Sequence, residues 1–254
     1  MRRILLLSDI HSNLEALDSV LSHAEKLEFN ETWIMGDITG YGPEPKACLQ
    51  KVLSLKNTKF ICGNHDRVVS KTVQPLGFNP HAIVAAYKNM QLLDGDELNW
   101  LARLPNSLSP CGQVGIFHGS VLDPDEYLLT IQSAIPSLRS MNMKGLILGF
   151  FGHTHVPSLF ELDENANEFY DIDVRPDFPM ELPLDGSRRI LINPGSVGQP
   201  RDGNPQASFA LLEYDDLKAK LTFKRVDYPI DVCQAKLRNE GYPEILAMRL
   251  SIGF

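Results

Sequence analysis

Hydrophobic positions along the chain fall into two regimes. The first alternates strands and helices. Arg3 to Ser8 is a continuous apolar run of strand length that stops at Asp9-Ile10-His11-Ser12-Asn13. Asn13 can cap a helix whose Leu14, Leu17, Val20, Leu21, Ala24 and Leu27 recur on one face. Thr32 to Met35 reads as the next strand, stopped by Gly36-Asp37, and Thr58 to Cys62 as a third, stopped by Gly63-Asn64-His65-Asp66. Between them a Gly/Pro loop at 40–45 precedes a helix carrying Cys48, Leu49, Val52 and Leu53. Buried strands alternating with amphipathic helices predict βαβ units and a largely parallel sheet. His81 to Leu93 and Glu97 to Leu104 have helical spacing, the second with a cap at Asp94. Val114 to Phe117 and Leu146 to Phe151 return to strand character and stop at His118-Gly119 and Gly152-His153-Thr154-His155.

After His155 the pattern becomes short alternating strands: Ser158 to Leu162, Phe169 to Val174, Arg189 to Asn193, Ala207 to Glu213 and Leu221 to Val226. Arg175 to Gly186 holds three prolines and reads as a surface excursion. No repeat, low-complexity segment or convincing linker divides residues 1–254, so one α/β domain is expected.

Composition narrows the class. With 43% hydrophobic and 22% charged residues the chain is an ordinary globular protein, and its 254 residues can bury a large core. A formal charge of −8 argues against a protein that coats nucleic-acid phosphates. It leaves open a phosphate-bearing substrate, because bound cations can reverse the local sign. No apolar run approaches the ~18–20 residues of a membrane-spanning helix, and Ser8, Asp9 and His11 interrupt the first run too early for a signal peptide. The four cysteines form no CxxC pair and are expected as buried free thiols of a cytoplasmic protein.

Five strand ends carry residues able to bind metal: Asp9/His11, Asp37, Asn64/His65, His118 and His153/His155. Five of the seven histidines lie in these segments. In open α/β sheets, ligands bind beyond the carboxyl ends of strands. Asp9 and His11 are two residues apart, as are His153 and His155, so in extended backbone each pair would project to one side. Glycines 36, 63, 119 and 152 would let the chain turn tightly beside such a site. One such segment alone is an ordinary polar strand end. Five together have no purpose in folding and point to a cluster around cations.

These segments resemble the calcineurin-like metallophosphoesterase superfamily, whose ordered motifs are D-x-H, G-D, G-N-H-D/E, a separate H, and G-H-x-H. All are present in order from Asp9 to His155. Asn193-Pro194-Gly195-Ser196-Val197 also looks like the small prokaryotic phosphodiesterase branch. The resemblance implies an αββα sandwich of two mixed sheets flanked by helices, and two divalent cations. One would be held by Asp9, His11 and His155, the other by Asn64, His118 and His153, with Asp37 bridging. A donor set without thiolate suits Mn²⁺ first, with Fe or Zn²⁺ as alternatives. The chemistry implied is in-line attack of metal-activated water on phosphorus, with His65 assisting the leaving oxygen and Asp66 orienting that imidazole.

Phosphoprotein phosphatases of the superfamily extend the second motif to G-D-x-x-D-R-G. Here it reads Gly36-Asp37-Ile38-Thr39-Gly40-Tyr41-Gly42, without the arginine. Arg67 and Arg201 are substitute candidates for gripping substrate phosphate, against a reading as solvated surface arginines. Tyr41 is a candidate to stack on a base or simply to cover the loop. The expected function is a phosphodiesterase acting on a small phosphoester or nucleotide. A dinucleoside polyphosphate hydrolase and a phosphoprotein phosphatase are the enzymatic alternatives, and a protein-binding scaffold of the same fold is the non-enzymatic one. The segments 78–105 and 175–188 are expected to shape the substrate pocket. The apolar C-terminal stretch from Ile245 to Phe254 is either a homo-oligomer contact or a last helix packed on its own core.

Overall fold

The computed structural model of the protein describes residues 1–215 and 217–254. The first βαβ pass is β1 (Arg2–Leu7), α1 (Leu14–Glu25), β2 (Glu31–Ile34), α2 (Pro45–Ser54) and β3 (Thr58–Phe60). These strands run parallel, and β1 starts α1 through the Asn13 side chain, which accepts from the Ala16 N–H. Next come α3 (Asn64–Val69), α4 (Pro80–Leu92) and α5 (Gly95–Ala102). Asp94 caps α5 in a reciprocal box with Glu97, as the sequence suggested.

The second sheet is entered through β4 (Ser107–Cys111) and β5 (Val114–Phe117), and α6 (Ile131–Met143) leads to β6 (Leu148–Phe150). The antiparallel strands follow as β7 (Ser158–Asp163), β8 (Glu168–Ile172), β9 (Met180–Leu182), β10 (Arg188–Asn193), β11 (Ala207–Tyr214) and β12 (Ala219–Val226). A helical pair, α7 (Ile230–Asn239) and α8 (Glu244–Ile252), closes the chain. Among the described residues no helix is long and apolar enough to cross a membrane.

The strands form two mixed six-stranded sheets, ordered β3-β2-β1-β11-β12-β9 and β4-β5-β6-β10-β7-β8. Strand alternation builds the layers. Ile4 and Leu6 of β1 point between the sheets with Trp33, Phe150, Ile190 and Ile192, while Leu5 and Leu7 point outward under α1 and α2. On the far side Leu191 packs under α6 with Leu138 and Met141. The result is helix, sheet, sheet, helix, and the parallel strands β1, β2, β3, β5 and β6 all end at one rim.

Two expectations need correction, and one helix was not foreseen. The proline-rich stretch 175–186 is not wholly an excursion, because Met180–Leu182 pairs with the edge of β12; prolines 176, 179 and 183 lie outside the paired residues, where no ladder N–H is lost. Helix α6 had no clear signature, since Pro136 interrupts its period. Cys48, Cys62 and Cys233 are buried free thiols, but Cys111 is only half-buried.

Candidate metal centre

The rim where the parallel strands end gathers the five polar segments, and the geometry that does so is left-handed rather than extended. Asp9, His11, Asp37, His153 and His155 all have φ between 49° and 66°. Each pair converges through strained turns, so the extended-strand argument for their spacing does not hold. Such backbone persists only where surrounding structure over-determines it. Here Asp9 N–H donates to Gly36 O (3.1 Å), His11 N–H to Asp37 O (2.9 Å) and Ser12 N–H to Ile38 O (3.0 Å), which lace the first loop to the second. The Asn193–Val197 segment clamps it from the other side. Ser196 Oγ donates to Asp9 O (2.8 Å), and Asn193 Nδ2 donates to Gly152 O (2.8 Å) and Thr154 Oγ1 (2.9 Å).

Glycine is required by close approach more than by φ. A Cβ at Gly63 would fall inside the Asp37 carboxylate, and one at Gly152 on the Ser8 hydroxyl. Neither residue needs left-handed backbone.

Two triads of buried donors result. Asp9, His11 and His155 form one, and Asp37, His118 and His153 another, with the ligand atoms of each within 4.8 Å of one another. Asn64 Oδ1 lies 3.1 Å from His118 Nε2, on the second triad. Asp37 Oδ2 stands between the two, 3.6 Å from His11 Nε2 and 3.4 Å from His118 Nε2. His65, Asp37 and His11 make a third such cluster.

The rings are presented in one sense. Nδ1–H of His11 donates to Thr39 O (2.9 Å), that of His118 to Met35 O (2.7 Å), and that of His155 to Gln199 O (2.6 Å). Each leaves Nε2 aimed at the centre. His153 is reversed, with Nε2 against Asp125 O at 3.0 Å, so Nδ1 faces inward. Backbone carbonyls set the tautomer in each case, the usual second partner of a metal-binding imidazole. In consequence His11 Nε2 and His155 Nε2 face each other as lone pairs at 3.0 Å. That contact repels unless a cation or a proton lies at it. The residues present therefore fit divalent cations, with nitrogen and oxygen donors and no thiolate.

Without a cation the electrostatics split the donor set. Burial drives His11 and His155 well below the ordinary imidazole value and lowers His153 to about 3 and His65 to about 4, so these rings stay neutral. Burial opposes the charge of His118 too, but the Asp37 carboxylate outweighs it and lifts that ring to about 9; the same pairing overcomes burial to hold Asp37 low. Burial raises Asp9 to about 7.

His65 differs from the other four rings. Among the described residues its buried Nδ1 has no hydrogen-bond partner, and it is held by packing against Tyr41 (centroids 4.4 Å) and Phe78 (4.5 Å). Asp66 does not orient it. The Asp66 carboxylate accepts from Thr39 N–H (2.9 Å), Thr39 Oγ1 (2.9 Å), Gly63 N–H (3.1 Å) and Ile38 N–H (3.3 Å), so it pins the Asp37 loop. Successive residues of α3 point in different directions, which is why neighbours in sequence do not pair.

The substrate-binding candidates separate. Arg67 is engaged by Asp125, at the edge of the cleft. Arg201 faces the centre: its charge acts on Asp9, His11, His65 and His155, and its Nε is buried without a partner. Tyr41 is only 7% exposed and packs on His11 and His65, so it supports the imidazoles rather than offering a face to a base. Beside His65 a cleft of about 230 Å³ is lined by Phe78, Asn79, Asp125, Tyr127 and His153. Of the expected segment 78–105 only Phe78, Asn79 and Ala82 line it, 175–188 does not, and Asp125 and Tyr127 do. Tyr127, packed on His153 with tilted rings whose centroids are 3.9 Å apart, carried no signal in the sequence.

Two mixed sheets with a buried histidine–carboxylate centre at their common rim define a class of α/β proteins built to hold divalent cations. Residues 1–217 match the calcineurin-like phosphoesterase superfamily domain, and the chain belongs to that superfamily. A metallophosphoesterase from Sphaerobacter thermophilus has a similar structure (TM-score 0.80, 36% identity, 100% of this chain and 99% of that one). An uncharacterized protein of Methanocaldococcus jannaschii, MJ0912, is 32% identical over 253 residues, 98% of both chains. A symmetrical bis(5'-nucleosyl)-tetraphosphatase of Erwinia tasmaniensis is 29% identical over 106 residues, 39% of this chain and 37% of that one.

Proposed function

We propose that this protein is a metal-dependent phosphoric ester hydrolase of the phosphodiesterase type. Asp9, His11 and His155 would hold one divalent cation, and Asn64, His118 and His153 a second, with Asp37 shared; Mn²⁺ is favoured over Fe and Zn²⁺. When bound, the pair supplies an activated water and neutralises the phosphoryl oxygens of an in-line displacement. The protein's own part is positioning. Asp37 fixes the spacing of the two triads, the carbonyl-tethered rings admit no reorientation, and Arg201 faces substrate phosphate. His65, neutral in its buried setting, would hydrogen-bond the leaving oxygen through its ring N–H and so stabilise the charge that develops there.

The observation that carries this reading is the contrast among the five histidines. Four are tied to backbone carbonyls as ligands are, and His65 alone keeps an unpartnered buried nitrogen beside the cleft. A scaffold that had only to bind another protein would have no use for that ring. The missing arginine of the second motif speaks against a phosphoprotein phosphatase. The aromatic cleft suits a small phosphoester or nucleotide. The local likeness to a symmetrical dinucleoside tetraphosphatase supports dinucleoside polyphosphates as a second reading. Four free thiols accord with a cytoplasmic site of action.

The test is hydrolysis of bis-p-nitrophenyl phosphate and of the monoester by metal-stripped protein resupplied with Mn²⁺, with His65→Ala alongside. Metal-restored, His65-dependent turnover of the diester is expected. No turnover of either compound, or of a dinucleoside polyphosphate, with both cations bound would overturn the reading.

A further inference from the structure

The family match ends at residue 217, yet the chain continues into α7 and α8, and this pair is built into the active site. Cys233, Leu237, Leu246 and Leu250 pack on Tyr41, whose ring touches His11 and His65. The hydroxyl of Tyr242 meets Asn89 Nδ2 (3.2 Å), and Asn89 Oδ1 accepts from Ser12 Oγ and Gly40 N–H (both 2.7 Å). At the end of α8, Gly203 N–H donates to Gly253 O (2.9 Å), which ties the helix to the loop carrying Arg201.

What this delivers is Arg249. Its guanidinium carbon lies 5.9 Å from the Tyr41 ring centroid, and that of Arg201 lies 5.5 Å from the same ring. Among the described residues no aspartate or glutamate side chain forms an ion pair with either, whereas Arg67, Arg188, Arg225 and Arg238 all have carboxylate partners. Arg201 Nη2 donates to Gln199 Oε1 (3.2 Å) and its guanidinium also pairs with the Tyr127 hydroxyl, while Arg249 Nε donates to Phe254 O (2.6 Å). Arg201 acts on the metal-binding rings; Arg249 acts on Arg201, Tyr41 and Tyr127, one step farther from the centre. The two half-buried guanidiniums share the Tyr41 ring and repel each other, and burial and the Arg201 charge together depress Arg249. Such a pair is stable in the presence of an anion that bridges it.

We infer that Arg201 and Arg249 form a clamp for a second, non-scissile phosphate, so that the preferred substrates are nucleotides with a phosphoanhydride-linked phosphate chain. This rests on the phosphoesterase reading only for which phosphate is cleaved; the clamp itself is a binding site. The geometry is ordered to suit it: the two donor triads would hold the cations at the scissile phosphate, Arg201 acts on those rings, Arg249 acts on Arg201, and the Phe78–Tyr127 cleft lies adjacent for a base.

The experiment is calorimetric titration of Mn²⁺-loaded protein with α,β-methylene-ADP and with AMP, which differ by the second phosphate and are read without turnover. The wild type should bind the diphosphate more tightly, and Arg249→Ala should weaken it at least about tenfold while weakening AMP several-fold less. Arg249→Lys should fall between. Thermal melts confirm that the variants fold, and Arg249→Gln serves if the alanine variant does not. Equal weakening of both ligands, or no preference for the diphosphate in the wild type, overturns the clamp. Arg249-dependent preference in a protein that hydrolyses no phosphoester keeps the clamp and removes the hydrolase reading.

Discussion

His11 and His155 meet Nε2 to Nε2 at 3.0 Å, each with its Nδ1 tied to a backbone carbonyl. Two imidazole lone pairs so placed lack the charge that would hold them together, and a divalent cation supplies it. Stripping metal should therefore cost stability. At a hundredfold excess over its dissociation constant, one cation adds about 2.7 kcal/mol, which is roughly 5–10 °C in melting temperature for a chain of this size. A chelated sample melting at the same temperature as the Mn²⁺-loaded protein would contradict the site.

The metal-free protein should be most stable near pH 6.5. Burial lowers His65 to about 4 and His153 to about 3, with His11 and His155 also well below the ordinary value. Between those values and ~6.5 the unfolded chain binds protons that the folded one does not, so stability falls as pH drops. Asp9, raised to about 7, and Asp66, raised to about 6, act oppositely but are two groups against four. His118, lifted to about 9 by Asp37, contributes fully below ~6.5 and loses its contribution as pH rises through 9. Mn²⁺ should move the optimum upward, because ligands must shed protons to bind it. Melts with chelator from pH 5 to 9 check this, and a stability rising steadily across that range would refute it.

Asp37→Asn should remove both cations, because its Oδ2 stands within 3.6 Å of rings from both triads. Metal content per chain measures it. Retention of one tightly bound ion would show that the carboxylate serves a single site.

His65 and Asp66 are neighbours with opposite expected phenotypes. His65→Gln should cut turnover by roughly 10²–10⁴ with little change in melting. Asp66→Ala strips partners from four donors around Thr39 and Gly63 and should cost ~3–5 kcal/mol of stability. If Asp66→Ala melts like the wild type, Asp66 is not the pin of the Asp37 loop.

Most strand positions and the donor inventory were legible in sequence because both are local. Apolar runs of strand length mark β1, β2, β5 and β6, and each stops at the polar residue that ends it. Asp9, His11, Asp37, Asn64, His118, His153 and His155 could be picked out for the same reason. Convergence was not local: spacing suggested extended backbone at Asp9-Ile10-His11, and the structure uses left-handed turns held by hydrogen bonds from loops 36–38 and 193–198. Asp66 was misassigned because adjacency in sequence does not imply contact on a helix. Arg249 and Tyr127 carry no motif, and only the packing of α7 and α8 on Tyr41, and of Tyr127 on His153, brings them to the centre. The chain alone determined which chemistry is present, since side-chain type is written residue by residue. Where each lone pair and charge points was decided by tertiary contacts such as the Ser196–Asp9 bond, which joins residues 187 apart in the chain, and such contacts leave no periodic trace in the sequence.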